Sequence, residues 1–155
     1  MTRFLRMKKL SLLLSTLILL SFTACSSPSF GGKEVKKEYF TNGQVRTEFI
    51  MDDDTGKNGL LKKYGYSGGL TSTVRIQNGV KSGIETWYDN KHREIRKVPY
   101  VNGTIHGIMT ELYENGNTMV TIPFKYGTKD GIAYAYNKDG SVFKKVTYKN
   151  GKITN

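Results

Sequence analysis

YVNGTIHGIMTELYENGNTMVTIPFKYGTKDG, residues Tyr100 to Gly131, opens and closes on the same eight-residue form. Tyr100-Val-Asn-Gly-Thr-Ile-His-Gly107 and Phe124-Lys-Tyr-Gly-Thr-Lys-Asp-Gly131 share aromatic-x-x-Gly-x-x-x-Gly, 24 residues apart. Working outward, Gly59 and Gly83 extend the row at the same spacing, and Leu60, Ile84, Ile108 and Ile132 follow the four glycines. Self-similarity at a fixed period marks one supersecondary unit copied in series, and such arrays bind or scaffold more often than they catalyse.

The unit is a strand pair. Five copies start at Val35, Leu60, Ile84, Ile108 and Ile132, with Tyr39, Tyr64, Tyr88, Leu112 and Tyr136 four positions on. A turn signal follows: Asn42-Gly43, Ser67-Gly68, Lys91-His92, Asn115-Gly116 and Asp139-Gly140. Asn-Gly and Asp-Gly take the positive φ values of two-residue hairpins. His92 replaces the glycine, so a different loop is expected there, with Asn90 supplying the left-handed residue. Beyond each turn stand apolar pairs two apart: Phe49/Met51, Val74/Ile76, Val98/Tyr100, Ile122/Phe124 and Val146/Tyr148. That spacing puts each pair on one strand face. Asn78-Gly79, Asn102-Gly103, Tyr126-Gly127 and Asn150-Gly151 then close the copies. Turns alternating at this interval predict consecutive antiparallel strands, and nothing beyond residue 34 has helical periodicity.

The aromatic/aliphatic-x-x-Gly-x-x-x-Gly form, also seen at Ile76–Gly83, resembles the MORN repeat in its bacterial variant, found in exported proteins and in antitoxin or immunity proteins. The resemblance covers residues 35–155. It implies an all-β fold: an elongated, curved antiparallel meander of about five stacked hairpins, with copies at 35–59, 60–83, 84–107, 108–131 and 132–155. The aliphatic and aromatic positions are expected to share one core. Lys33, Lys36 and Lys37 near one edge, and Lys144, Lys145, Lys149 and Lys152 near the other, suit protection of open sheet edges.

The first 24 residues read as an export signal, a helix preceding the array. Arg3, Arg6, Lys8 and Lys9 precede an apolar run from Leu10 to Leu20; translation starts at Met1 or at Met7. The chain has one cysteine, Cys25, which excludes an internal disulfide. Phe22-Thr23-Ala24-Cys25 resembles a lipobox, with Phe22 where Leu is usual. The resemblance implies a diacylated N-terminal cysteine, palmitate-type acyl chains and attachment to the bilayer of the cell envelope. Ser26 then implies the outer membrane if the host is Gram-negative. The apolar run is short for a span of about 20 residues, and two or three acyl chains suffice for stable anchorage. Residues 25–34 read as the lipidated cysteine and a flexible tether.

Net charge is +11 for the whole chain, and about +7 once the four signal-peptide cations are removed. In an exported protein this charge first suits lysines placed on strands and edges for solubility; as a partner it suggests anionic lipid or an acidic protein rather than nucleic acid. No cofactor, metal or catalytic set emerges. Gly65-Tyr66-Ser67-Gly68-Gly69 matches a hydrolase elbow in letters, but Ser67 fills the turn slot of Asn42 and no helix follows. His92 and His106 lack metal-ligand partners. Asp52-Asp53-Asp54-Thr55-Gly56 lacks the calcium-loop spacing and reads as a solvated acidic insertion. The candidate binding surface is therefore Trp87, His92, Asp52, Asp53 and Asp54. If Tyr88 faces the core, Trp87 faces outward beside the copy equivalents Lys63 and Glu111; it either anchors a partner or covers the sheet beneath a loop. The function expected is a non-enzymatic envelope lipoprotein with a repeat scaffold. The alternatives are an immunity protein neutralising a toxin and a cell-wall-binding module.

Overall fold

The computed structural model describes residues 33–154. The expected signal segment, Cys25 and the tether through Gly32 lie outside the described residues. The first copy supplies β1 (Val35–Tyr39) and β2 (Val45–Met51), and the second β3 (Gly59–Tyr64) and β4 (Leu70–Gln77). The third gives most of β5 (Val80–Tyr88), with β6 (Glu94–Val101) and β7 (Thr104–Ile105); the fourth, β8 (Gly107–Leu112), β9 (Thr118–Lys125) and β10 (Thr128–Lys129). The fifth gives β11 (Gly131–Tyr136), β12 (Val142–Lys149) and β13 (Lys152–Thr154). All 13 strands join one antiparallel sheet in sequence order, with β7 and β10 as short pairings against β6 and β9. Eleven strands in the continuous path, at about 4.8 Å each, make the sheet roughly 50 Å wide.

Two turn geometries alternate along the two rims. The turns closing the second to fifth copies are two-residue hairpins with both central residues left-handed: φ is 52° at Asn78 and 80° at Gly79. That is the conformation matched to strand twist. The turns within each copy are different from the two-residue form expected. Phe40 N–H donates to Gln44 O at 2.8 Å and Gly43 N–H to Phe40 O at 3.0 Å, with only Gly43 left-handed. Here Asn42 serves through its side chain, whose Oδ1 accepts from Gln44 N–H at 3.0 Å. Asn115 and Asp139 repeat that bond.

The turn at His92 corrects a second expectation. It is the same loop: His92 N–H donates to Asp89 O and Asp89 N–H to Arg93 O, both at 3.0 Å. His92 itself takes the left-handed conformation at φ 60°, and Asn90 does not. Asp89 compensates, because its Oδ1 accepts from the N–H groups of Lys91 and Arg93 at 2.8 and 3.0 Å. The loop is set by its flanking strand register, which fixes the backbone before the residue at its corner is asked to fit.

Successive copies are stapled at both rims. Gly79, Gly103, Gly127 and Gly151 each donate a backbone N–H to a carbonyl of the preceding copy at 2.8–2.9 Å. On the other rim Asn42 reaches Tyr66 O, and Asn117 reaches Lys138 O. An isolated hairpin is marginal in water, so these bonds and the shared face together make the copies cooperative. Gly59 holds its place for a spatial reason: a Cβ there would stand 2.4 Å from Ile50 O and 2.8 Å from the Phe49 ring.

The core is a thin line on one face. Met51, Val74, Val98 and Ala133 are its fully buried apolar residues, supported by half-buried Phe49, Leu61, Ile122 and Val146. Each such side chain contributes about 2 kcal/mol when fully covered. The expectation of one core from all repeat positions is not met. Cross-strand pairing puts Ile84 opposite Pro99 and Ile108 opposite Pro123, on the opposite face, where Ile84 and Ile108 remain 56% and 60% exposed. Alternation forces this: a strand that turns Leu61 or Met109 inward turns its neighbour outward.

Candidate functional site

The least expected group lies where that alternation meets the wrong residue. The position after the first aliphatic residue is Leu61, Met109 and Ala133 in three copies, and all three face the core line. In the third copy it is Glu85, only 1% exposed and paired across the strands with Val98. Lys81 Nζ meets Glu85 Oε2 at 2.7 Å. In a regular strand two same-face residues four apart stand about 13 Å apart. A bulge closes the gap: three residues, Gly83 to Glu85, oppose the single residue Val74 between the pairs Arg75–Ser82 and Thr73–Thr86.

Lys81 also stands over the Tyr100 ring, 4.6 Å from its centroid. Burial pushes the Lys81 ammonium down, but the bonds and charges of Glu85 and Tyr100 outweigh it, and its pKa is raised overall. Two polar atoms in this region have no partner, Glu85 Oε1 and Ser72 Oγ, and both are buried. Unsatisfied atoms in a sheet interior are uncommon and costly.

Ser72 pairs with Trp87, and Trp87 in turn with Arg96. One row thus crosses five strands: Lys63, Ser72, Trp87, Arg96 and Glu111. Arg96 donates to Glu111 through Nε at 2.9 Å and approaches it through its second nitrogen at 2.7 Å. The facing of Trp87 is the reverse of the condition considered from sequence. Tyr88 lies on the other face, its hydroxyl 3.4 Å from that of Thr73, whereas half-buried Trp87 shares the face of Glu85 and Val98. The row sets the half-buried Trp87 ring between Lys63 and the Arg96–Glu111 pair, with the Ser72 hydroxyl buried among them.

The other sequence candidates are dispersed. Asp52, Asp53 and Asp54 occupy the connection between β2 and β3 on one rim; His92 sits on the opposite rim. Asp52 bridges Lys33 at 2.7 Å and Arg75 at 2.5 Å, which lower its pKa. Asp53 accepts from Thr55 and Asn58, whose bonds hold its carboxyl low as well. Asp53 is therefore engaged in ordering its own loop, Asp52 ties the loop to Lys33 and to Arg75 on β4, and Asp54 makes no bond among the described residues. A shallow hollow of about 380 Å³ adjoins them, lined by Asp52, Asn58, Arg75, Gln77 and Ser82. Among the described residues no three His, Cys, Asp or Glu side chains gather as metal ligands. Ser67 occupies the five-residue turn, whose Gly65 N–H bonds Gly69 O at 2.8 Å.

Sequence reading missed Glu85, Lys81 and Ser72. The signal was available for Glu85: aligned down the copies, it is the one acid in a column that reads Lys36, Leu61, Met109 and Ala133 elsewhere. No pattern marked the bulge that brings Lys81 to it.

No curated protein matches this chain. Two crystal structures of S. aureus TarM, one a mutant in complex with fondaparinux, α-GlcNAc-glycerol and UDP, are similar at 14% identity and TM-score 0.48. They match over 70% of this chain, which spans only 21% of theirs. The MORN repeat variant matches residues 105–126 and 129–150, two adjacent spans that fall mostly in the fourth and fifth copies. The chain carries MORN-type repeats.

Proposed function

We propose that the protein is a non-enzymatic, lipid-anchored envelope lipoprotein whose repeat sheet holds another envelope macromolecule. The observation that carries the binding reading is the Lys63–Ser72–Trp87–Arg96–Glu111 row. An aromatic bracketed by hydrogen-bonding charges on a rigid sheet has the composition of an interaction hot spot. The anchor rests on the Phe22-Thr23-Ala24-Cys25 sequence and the single cysteine. Strand-paired positions move little, so the row presents its groups pre-organised, and ordering costs on binding are low.

Affinity capture of the tagged full-length chain from its host tests both halves. Wild type is expected in the membrane fraction with a stoichiometric partner. Cys25→Ala should move it to the soluble fraction, and Trp87→Ala should lose the partner without loss of the fold. A Cys25→Ala protein that still sediments with membranes refutes the anchor; undiminished capture by Trp87→Ala refutes the row.

A further inference from the structure

The rim of two-residue turns carries, at one corner, a residue that the left-handed conformation required there does not favour. Three of its four turns put Asn in the first left-handed position; the fourth puts Tyr126 there, at φ 48°. Asn tolerates that conformation, whereas a bulky aromatic is strained in it. Burial does not compensate, because Tyr126 is 74% exposed. Its ring has one aromatic neighbour, His106, edge-on at 4.9 Å. Strain kept at an exposed aromatic points to a role outside the fold.

The charges around it are lopsided. Lys125 precedes Tyr126, and the adjoining turn sets Lys149 directly opposite Lys152 across β12 and β13. Like charges so placed repel. The two turns are neighbours: Gly151 N–H donates to Lys129 O at 2.9 Å, in the short strand that leaves the Tyr126 turn. Asp130 is the carboxylate among them. It lies 3.5 Å from Lys149 and accepts from Asn150 N–H at 3.2 Å, so it answers one ammonium and leaves an excess of positive charge.

We propose that this rim, with Tyr126 as anchor and Lys125, Lys149 and Lys152 around it, docks an acidic segment of a partner protein. The inference rests on the scaffold reading and adds the chemistry of the partner. Because Gly127 and Gly151 already spend their N–H groups within the sheet, recognition falls to side chains: ammonium groups on carboxylates, the phenol ring on the flanking apolar residue. A lipid surface would be met by several turn tips together, and the other three tips are the polar pairs Asn78-Gly79, Asn102-Gly103 and Asn150-Gly151.

The test uses the full chain in detergent and a labelled oligoglutamate peptide containing tyrosine, with an oligolysine peptide and phosphatidylglycerol vesicles in parallel. Binding of the acidic peptide alone, weakening as salt rises, is the expected result. Tyr126→Asn should weaken it about fivefold or more, and raise the melting temperature, since Asn suits the turn. Lys149→Ala with Lys152→Ala should weaken it similarly. Unchanged peptide affinity in both variants overturns the proposal, as does vesicle binding without peptide binding. A lowered melting temperature in Tyr126→Asn would make the tyrosine structural and also overturn it. Loss of partner capture through Trp87→Ala with no effect of Tyr126→Asn would leave the scaffold reading standing and remove this one.

Discussion

Lys81 and Glu85 form one ion pair, but the two ends should differ sharply in what their removal costs. Glu85 is 1% exposed and Lys81 27%. Lys81→Met strips the one partner that a buried carboxylate has among the described residues, where its second oxygen already has none. Breaking a buried pair from this side costs about 3–5 kcal/mol. Glu85→Met instead fills an inward slot that Leu61, Met109 and Ala133 fill in other copies, and it leaves an ammonium whose flexible stem reaches water. Its expected change is within about 1 kcal/mol of wild type, in either direction. At about 4 °C per kcal/mol for a domain of this size, Lys81→Met should lower the melting temperature by roughly 15 °C and Glu85→Met should leave it within about 4 °C. Thermal melts followed by circular dichroism, with the double variant to Met as the third corner of the cycle, measure this directly. The double variant should recover most of the Lys81→Met loss. Equal losses in the two single variants, or a larger loss for Glu85→Met, would falsify the burial asymmetry on which the reasoning stands.

Two further outcomes follow from particular turns and carboxylates. His92→Gly should raise the melting temperature by about 2–4 °C, since relief of the left-handed side chain, about 1–2 kcal/mol, exceeds the added unfolded-state entropy of glycine; a lower melting temperature would show that the imidazole makes a stabilising contact. Stability should also fall at both pH extremes. The Asp89 carboxyl is held down to about 2, by the Arg93 N–H first and then the Arg93 guanidinium and Lys91 N–H, against partial desolvation. Its contribution is present above the ordinary Asp value near 4 and is lost as pH falls through about 2, so Asp89→Asn should flatten the acid limb of a pH–melting curve. Tyr64 is pushed up to about 12, by burial first and then by the Glu48 carboxylate that accepts its hydroxyl. That stabilisation is complete below pH 10 and is lost as pH rises towards 12; tyrosinate absorbance in wild type and Tyr64→Phe reads it.

Much of the architecture was legible because hairpins encode themselves locally. Strand bounds followed from Asn-Gly and Asp-Gly pairs and from alternating apolar residues, whose consequences reach only a few positions along the chain. Gly59 was legible as a repeat position where a side chain would block stacking, but not which groups crowd it, since Ile50 O and the Phe49 ring approach from another strand. His92 shows the opposite limit. Its identity suggested a changed loop, yet paired strands on both sides imposed the common one and left the histidine to adopt it.

The candidate site was legible only in part. Trp87 stood out as the single tryptophan, but which face it shares depends on cross-strand register, which puts it between Ser72 and Arg96. The acidic insertion and His92 both departed from the repeat and were grouped on that ground; successive turns point to alternate rims, so they cannot act together. By itself the sequence determined the period, the strand pairs and the places of the turns, because each is a property of neighbouring residues. Only the tertiary structure decided that the repeat's aliphatic residues split between faces, that a bulge brings Lys81 onto buried Glu85, and that the lysines opposite one another gather beside Tyr126. Those are facts of register between strands, and register is fixed by the assembled sheet.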